Sequence, residues 1–228
     1  MAAPENEFAL VAGRAAGLGV AEAPAVNRKW VNVSTGGHVS GVVWGGAPEI
    51  VLIHDPDHDA RSLDDVALLL RRPVVVLDLP GSGRSNGPAT RPRRAGVVLA
   101  EAVASFAGRA RLIAGIGDGG LAALATLGRS ASRGVAALDG LVLIDALPGL
   151  GDEPDDRVAW DQLAGAADVE LVRSSDSPIT AEQLARLAER NAAATVTDVP
   201  FPAGELETAG AAALAKVLLA AAERTGTT

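Results

Sequence analysis

From Glu49 onward the chain repeats one unit: a short unbroken apolar run, a turn, then a segment with apolar residues at helical spacing. The apolar runs are "EIVLIHD", "PVVVLDLP", "RLIAG", "LVLIDALPG", "VELVRSSD" and "TVTDVP", and helical patterns cover 94–106, 121–127, 180–191 and 207–223. A strand that is apolar on both sides must be covered on both faces, so the pattern predicts a mostly parallel sheet between two layers of helices. Ahead of it, "KWVNVSTGGHVSGVVWGG" reads as two β-runs turning at Gly36 and Gly37, an antiparallel hairpin that brings the strand count to eight. Residues 1–28 form an alanine-rich lead-in with room for a short helix. No repeat or linker divides residues 1–228, and the chain is expected to be one domain.

A chain of 228 residues buries an adequate core without staples, and with no cysteine it has neither disulfides nor thiolate chemistry. The net charge of -8 argues against nucleic acid or an anionic membrane as the main partner. No apolar stretch approaches the roughly 18 residues of a membrane span, and the N-terminus carries no basic leader. A cytoplasmic protein is expected, with a small molecule or another protein as partner and no cofactor. In open parallel sheets ligands sit at the carboxyl ends of the strands, which makes the residues just after each strand the ones that matter.

Those residues carry a resemblance. The stretch "EIVLIHDPDHDARSLDDVALLLRRPVVVLDLPGSGRS" resembles the part of α/β-hydrolase-fold proteins where one strand ends in His-Gly and the next in Asp-x-Pro-Gly-x-Gly-x-Ser, matched by Asp78, Pro80, Gly81, Gly83 and Ser85. "GIGDGG" sits where that family has its Gly-x-Ser-x-Gly-Gly nucleophile elbow, and "LVLIDALPG" is similar to the following strand with its terminal aspartate, Asp145. The likeness runs in order over roughly residues 29–222. It implies an α/β-hydrolase fold: a mostly parallel eight-stranded sheet, helices on both faces, and a minimal or absent cap, since only 149–168 is left for one. Gly81, Gly83 and Ser85 are expected to form turns.

Against that pattern the catalytic parts are missing. The elbow needs small residues two before and two after the nucleophile, which Gly115 and Gly119 satisfy if the nucleophile position is 117, where the chain has Gly117. An aspartate nucleophile at Asp118 requires Ile116 to be small. The three histidines, His38, His54 and His58, all precede the elbow, and the family's histidine position maps to Glu205. The oxyanion donor maps to Pro56, which has no N–H. The triad acid maps to Asp145 or Asp176, either of which serves equally as a turn or cap residue.

These losses predict a catalytically degenerate protein, retained for binding, scaffolding or regulation. The alternative is a small-molecule hydrolase or lyase with a rebuilt site. "HDPDHDA" places two imidazoles and three carboxylates in six residues at a strand end, and His54, His58 and Asp118 are the candidates for an acid/base site. His54, Asp57 and His58 form the weaker candidate metal set, at a spacing that matches no established metal motif.

Overall fold

A computed structural model of the chain describes residues 6–133, 138–150 and 156–226. Its strands are β1 (Val26–Asn32), β2 (His38–Trp44), β3 (Ile50–Ile53), β4 (Val74–Leu77), β5 (Leu112–Ile116), β6 (Gly140–Ile144), β7 (Asp168–Arg173) and β8 (Thr195–Asp198). Its helices are α1 (Val11–Gly17), α2 (Asp64–Leu70), α3 (Pro92–Phe106), α4 (Asp118–Arg133), α5 (Asp156–Ala164), α6 (Ala181–Arg190) and α7 (Ala211–Arg224). The eight strands form one sheet in the order β1-β2-β4-β3-β5-β6-β7-β8. β1 and β2 form the expected hairpin, β2 pairs antiparallel with β4, and every later pairing is parallel.

Strand periodicity sorts the apolar runs onto two faces. Val51, Ile53, Val75, Leu77 and Ile113 point to the side packed by Leu99 and Val103 of α3, Leu124 of α4 and Trp160 of α5. Ile50, Leu52, Val74, Val76 and Leu112 point to the other, against Val66 and Leu70 of α2 and Leu214 and Leu218 of α7. The helices end where the sequence stops them. α3 starts on Pro92, α6 carries a capping box between Thr180 and Gln183, and α2 stops at left-handed Arg71 just ahead of Pro73. α4 begins at Asp118 rather than 121, because the glycine corner itself opens the helix, and α7 begins at Ala211 rather than 207. The short helix expected within 149–168 is α5; residues 151–155 of that connection lie outside the described residues.

The motif after β4 does more than turn the chain. Gly81 and Gly83 have the expected positive φ, but Ser85 is a buried bridge: its Oγ donates to the Asp78 carbonyl and accepts from Ser40 N–H. The fully buried Asp78 carboxylate accepts from Ala60 N–H, Arg84 N–H and the Arg28 guanidinium at 2.7–3.0 Å. Arg28 in turn donates to Ser40 Oγ and Glu7. One carboxylate thereby ties together β1, β2, β4 and the loops after β3 and β4. Removing one partner of a buried ion pair strands the other charge. Arg28→Ala is therefore expected to lower the unfolding free energy by about 3 kcal/mol, read by urea denaturation; a loss below about 1 kcal/mol would match an exposed pair instead.

Candidate functional site

The site begins at the corner between β5 and α4. A side chain on Gly115 would strike the Gly119 backbone, and one on Gly119 would strike the His54 carbonyl, so both positions must stay bare for the corner to close. Between them Gly117 has φ +53°, donates to the Ile144 carbonyl, and presents its own carbonyl to Gly120 N–H. This is the corner that the spacing of small residues predicts. The space above Gly117 is filled: a Cβ built there would collide with Oδ2 of Asp55. A carboxylate from the neighbouring strand end thus stands where a side chain at 117 would stand.

Asp55 is brought there by His54. The His54 ring is fully buried, its Nδ1 2.7 Å from the Asp55 carbonyl, while its Nε2 accepts from Leu79 N–H. Accepting at Nε2 fixes the proton on Nδ1, and burial pushes the pKa below the ordinary histidine range, so the ring is neutral. Both nitrogens are engaged with backbone in the core, which removes His54 from the candidate acid/base set and from the metal set with Asp57 and His58. Among the described residues no three His, Asp or Glu side chains lie together closely enough to hold a metal ion. His58 N–H closes a turn onto the Asp55 carbonyl, and Asp59 caps the next turn through Arg61 N–H.

Asp55, Asp57, Asp118 and Asp145 line one pocket of about 350 Å³, with Gly117 and Leu121 among the other walls. Pro56 also lines it and offers no N–H. Among the described residues no hydroxyl or thiol side chain is part of the lining. Burial, then the charges of Asp118 and Asp57, raise the Asp55 pKa; Asp57 N–H and His58 pull it back. Asp118, at the helix start and more open to water, is raised by desolvation alone. Asp145 follows β6 at φ +49°, is 8% exposed, and accepts from Ser174 N–H through Oδ1. Asp176 lies elsewhere: it accepts from Ala203 N–H and Ser174 Oγ, and these bonds lower its pKa.

The C-terminal contribution differs from the expected one. Glu205 is exposed in a 3-10 turn. Glu207, two residues on, is the carboxylate that reaches the loop after β3, with Oε2 3.9 Å from His58 Nε2. Burial raises its pKa and His58 opposes the shift. His58 is about half exposed and stands at the rim, beside Asp55 and Glu207. Asp55, which the sequence counts in the acidic cluster 54–59 without singling it out, is the residue the structure places at the elbow. A glycine at the nucleophile position together with an acid at the end of the adjacent strand is the pattern that finds it.

No protein-family model matches the chain. Esterase Rv0045c of Mycobacterium tuberculosis is 32% identical over 149 residues, a match covering 63% of this chain and 47% of the relative's own length. A solved structure of that esterase superposes with TM-score 0.79 over 95% of this chain and 98% of its own, at 20% identity. A thioesterase domain from the curacin pathway, at 15% identity, covers 86% of this chain and 99% of its own with TM-score 0.67. A haloalkane dehalogenase variant of Bradyrhizobium elkanii, at 12% identity, covers 89% of this chain and 98% of its own with TM-score 0.69. The chain has the α/β-hydrolase fold that its motifs resemble. The reading as a degenerate protein kept for binding, scaffolding or regulation, drawn from Gly117, Glu205 and Pro56 together, is overturned, because a curated relative at 32% identity is a named esterase.

If Asp55 occupies the space over Gly117, Gly117→Ala strains both a left-handed φ and that contact, and a loss of about 1 to 3 kcal/mol is expected. Shortening the carboxylate as well, in Asp55→Ala/Gly117→Ala, should recover the part due to collision. Purely additive losses in that double-mutant cycle would show that the two side chains do not meet.

Proposed function

We propose that this protein hydrolyses small carboxylic esters by carboxylate general acid/base catalysis, with Asp55 as base and Asp118 as acid. The observation that carries the reading is the Asp55 carboxylate held over Gly117, at the corner that presents a nucleophile in this fold. The described residues lining the pocket offer carboxylates and no hydroxyl, and in this reading the attacking oxygen is that of water, with a carboxylate to move its proton. Both carboxylates titrate above their ordinary range, which makes Asp55 a stronger base and keeps Asp118 protonated at higher pH.

Water attacks the ester carbonyl carbon as Asp55 takes its proton. The developing oxyanion faces the start of α4, where the first amides have no partner within the helix and the dipole is positive. Collapse breaks the bond to the alcohol oxygen, which takes the Asp118 proton. The products are one acid and one alcohol, and proton exchange through water restores Asp55 and Asp118. His58, paired with Glu207, tunes Asp55 from the rim.

With p-nitrophenyl acetate as substrate, activity should be bell-shaped in pH, both limbs above the ordinary carboxylate range. Asp55→Asn should lower kcat by about 100-fold or more, and Asp118→Asn should remove the alkaline limb. His58→Gln deletes a charge that lowers the Asp55 pKa, so the acid limb should move to higher pH. Turnover by Asp55→Asn equal to the parent protein would overturn the assignment.

Stability should move the opposite way. A carboxyl whose pKa is higher in the folded than in the unfolded state binds its proton more tightly when folded; that stabilisation is present at low pH and is lost as pH rises through the folded value. Asp55→Asn removes this loss and should be more stable than the parent at neutral pH by thermal denaturation. Equal or lower stability would mean that Asp55 is an ordinary structural carboxylate.

A further inference from the structure

The acid/base pair uses two of the four carboxylates that line the pocket among the described residues. Asp145 is left over. It is more than nine-tenths buried, its Oδ1 is held by Ser174 N–H, and its Oδ2 has no hydrogen-bond partner among the described residues. A buried carboxylate oxygen without a donor is costly, so the Asp145 carboxylate lines the pocket with its negative charge only partly met by hydrogen bonds. Asp57 adds a further negative charge at the mouth, and His58, the nearby imidazole, stands at the rim against Glu207. Arg173, the guanidinium whose charge reaches Asp145, is already paired to Asp198 at 2.7 Å.

A metal ion is the wrong shape for this arrangement, since no three described ligand side chains converge on one point. A primary ammonium group fits better. It has three donors that can be shared among acceptors several ångströms apart, and an alkyl stem that can rest on Leu121, Ala146 and Leu150. We propose that the pocket selects esters bearing a primary ammonium group, with the Asp145 carboxylate as its principal counter-charge and Asp57 as the outer one. The choice of ester rests on the hydrolytic reading above; the ammonium site does not.

The test has two arms. In the first, p-nitrophenyl 6-aminohexanoate, heptanoate and hydrogen adipate present cationic, neutral and anionic ends on chains of similar length. kcat/KM should favour the cationic ester over the neutral one by about tenfold or more, with the anionic ester poorest, and the preference should shrink as salt is raised. Asp145→Asn keeps the bond to Ser174 and suits the positive φ, because asparagine tolerates that region; it should bring the cationic-to-neutral ratio of kcat/KM close to one. In the second arm, n-butylammonium, n-butanol and butyrate are titrated into the protein while the amide signals of Gly117 and Asp118 are followed by NMR. Saturable shifts with n-butylammonium alone, lost in Asp145→Asn, support the ammonium site even if no ester is turned over, and in that case it is the hydrolytic reading that fails. Hydrolysis without charge preference, together with no saturable n-butylammonium shift, overturns the ammonium site and leaves the hydrolytic reading standing. Shifts that persist unchanged in Asp145→Asn and in Asp57→Asn also overturn it.

Discussion

The Asp78 carboxylate is the constraint on which the rest of the structure depends. It is a full charge taken out of water, so each of its acceptor positions must be met, and the donors come from parts of the chain far apart in sequence: Arg28 from the hairpin, Ala60 N–H from the loop after β3, and Arg84 N–H from the loop after β4. Meeting them fixes the antiparallel β1–β2 pair against the parallel sheet and fixes the path of the loop 54–60. His54 Nε2 lies 3.9 Å from the same carboxylate and is pinned by Leu79 N–H. With both ends of that loop anchored, Asp55 has one place to go, and that place is over Gly117.

The elbow and the loop then complement one another. A glycine at 117 keeps the left-handed backbone without strain and leaves space for the Asp55 carboxylate; a side chain at 117 would have to expel it. The result concentrates negative charge. Among the described residues four aspartates share a pocket at the carboxyl ends of the strands, where this sheet topology puts ligands. Such a cluster opposes folding at neutral pH and is sustained by the buried network beneath it, the usual relation between a reactive site and the scaffold that holds it.

Much of the fold was legible because the apolar runs are short, continuous and bounded by glycine or proline, which leaves a covered parallel sheet as the economical solution. The hairpin, the count of eight strands and the corner at Gly115 to Gly119 follow from local pattern. The site was legible only in part. Asp118 and Asp145 follow strand ends and could be placed; His54 reads as a reactive group in sequence but is buried, with both ring nitrogens bonded to backbone. Asp55 and Glu207 act through contacts between segments 62 and 149 residues apart from their partners at 117 and 58, and spacing along one chain does not report such contacts. The roles of Arg28 and Ser85 were hidden for the same reason: a buried arginine on an edge strand and a serine in a turn motif reveal their purpose only when the carboxylate between them is located.

The central claim, that a carboxylate-activated water replaces a serine nucleophile, is tested most directly by rapid-quench mass spectrometry of the intact protein during its first turnovers of p-nitrophenyl acetate. Hydrolysis by way of Asp55 and water should release p-nitrophenol linearly from the first turnover and leave the protein mass unchanged. A burst of one p-nitrophenol per chain, with an acetyl group found on a serine, would contradict it, because that is the signature of covalent catalysis through a hydroxyl.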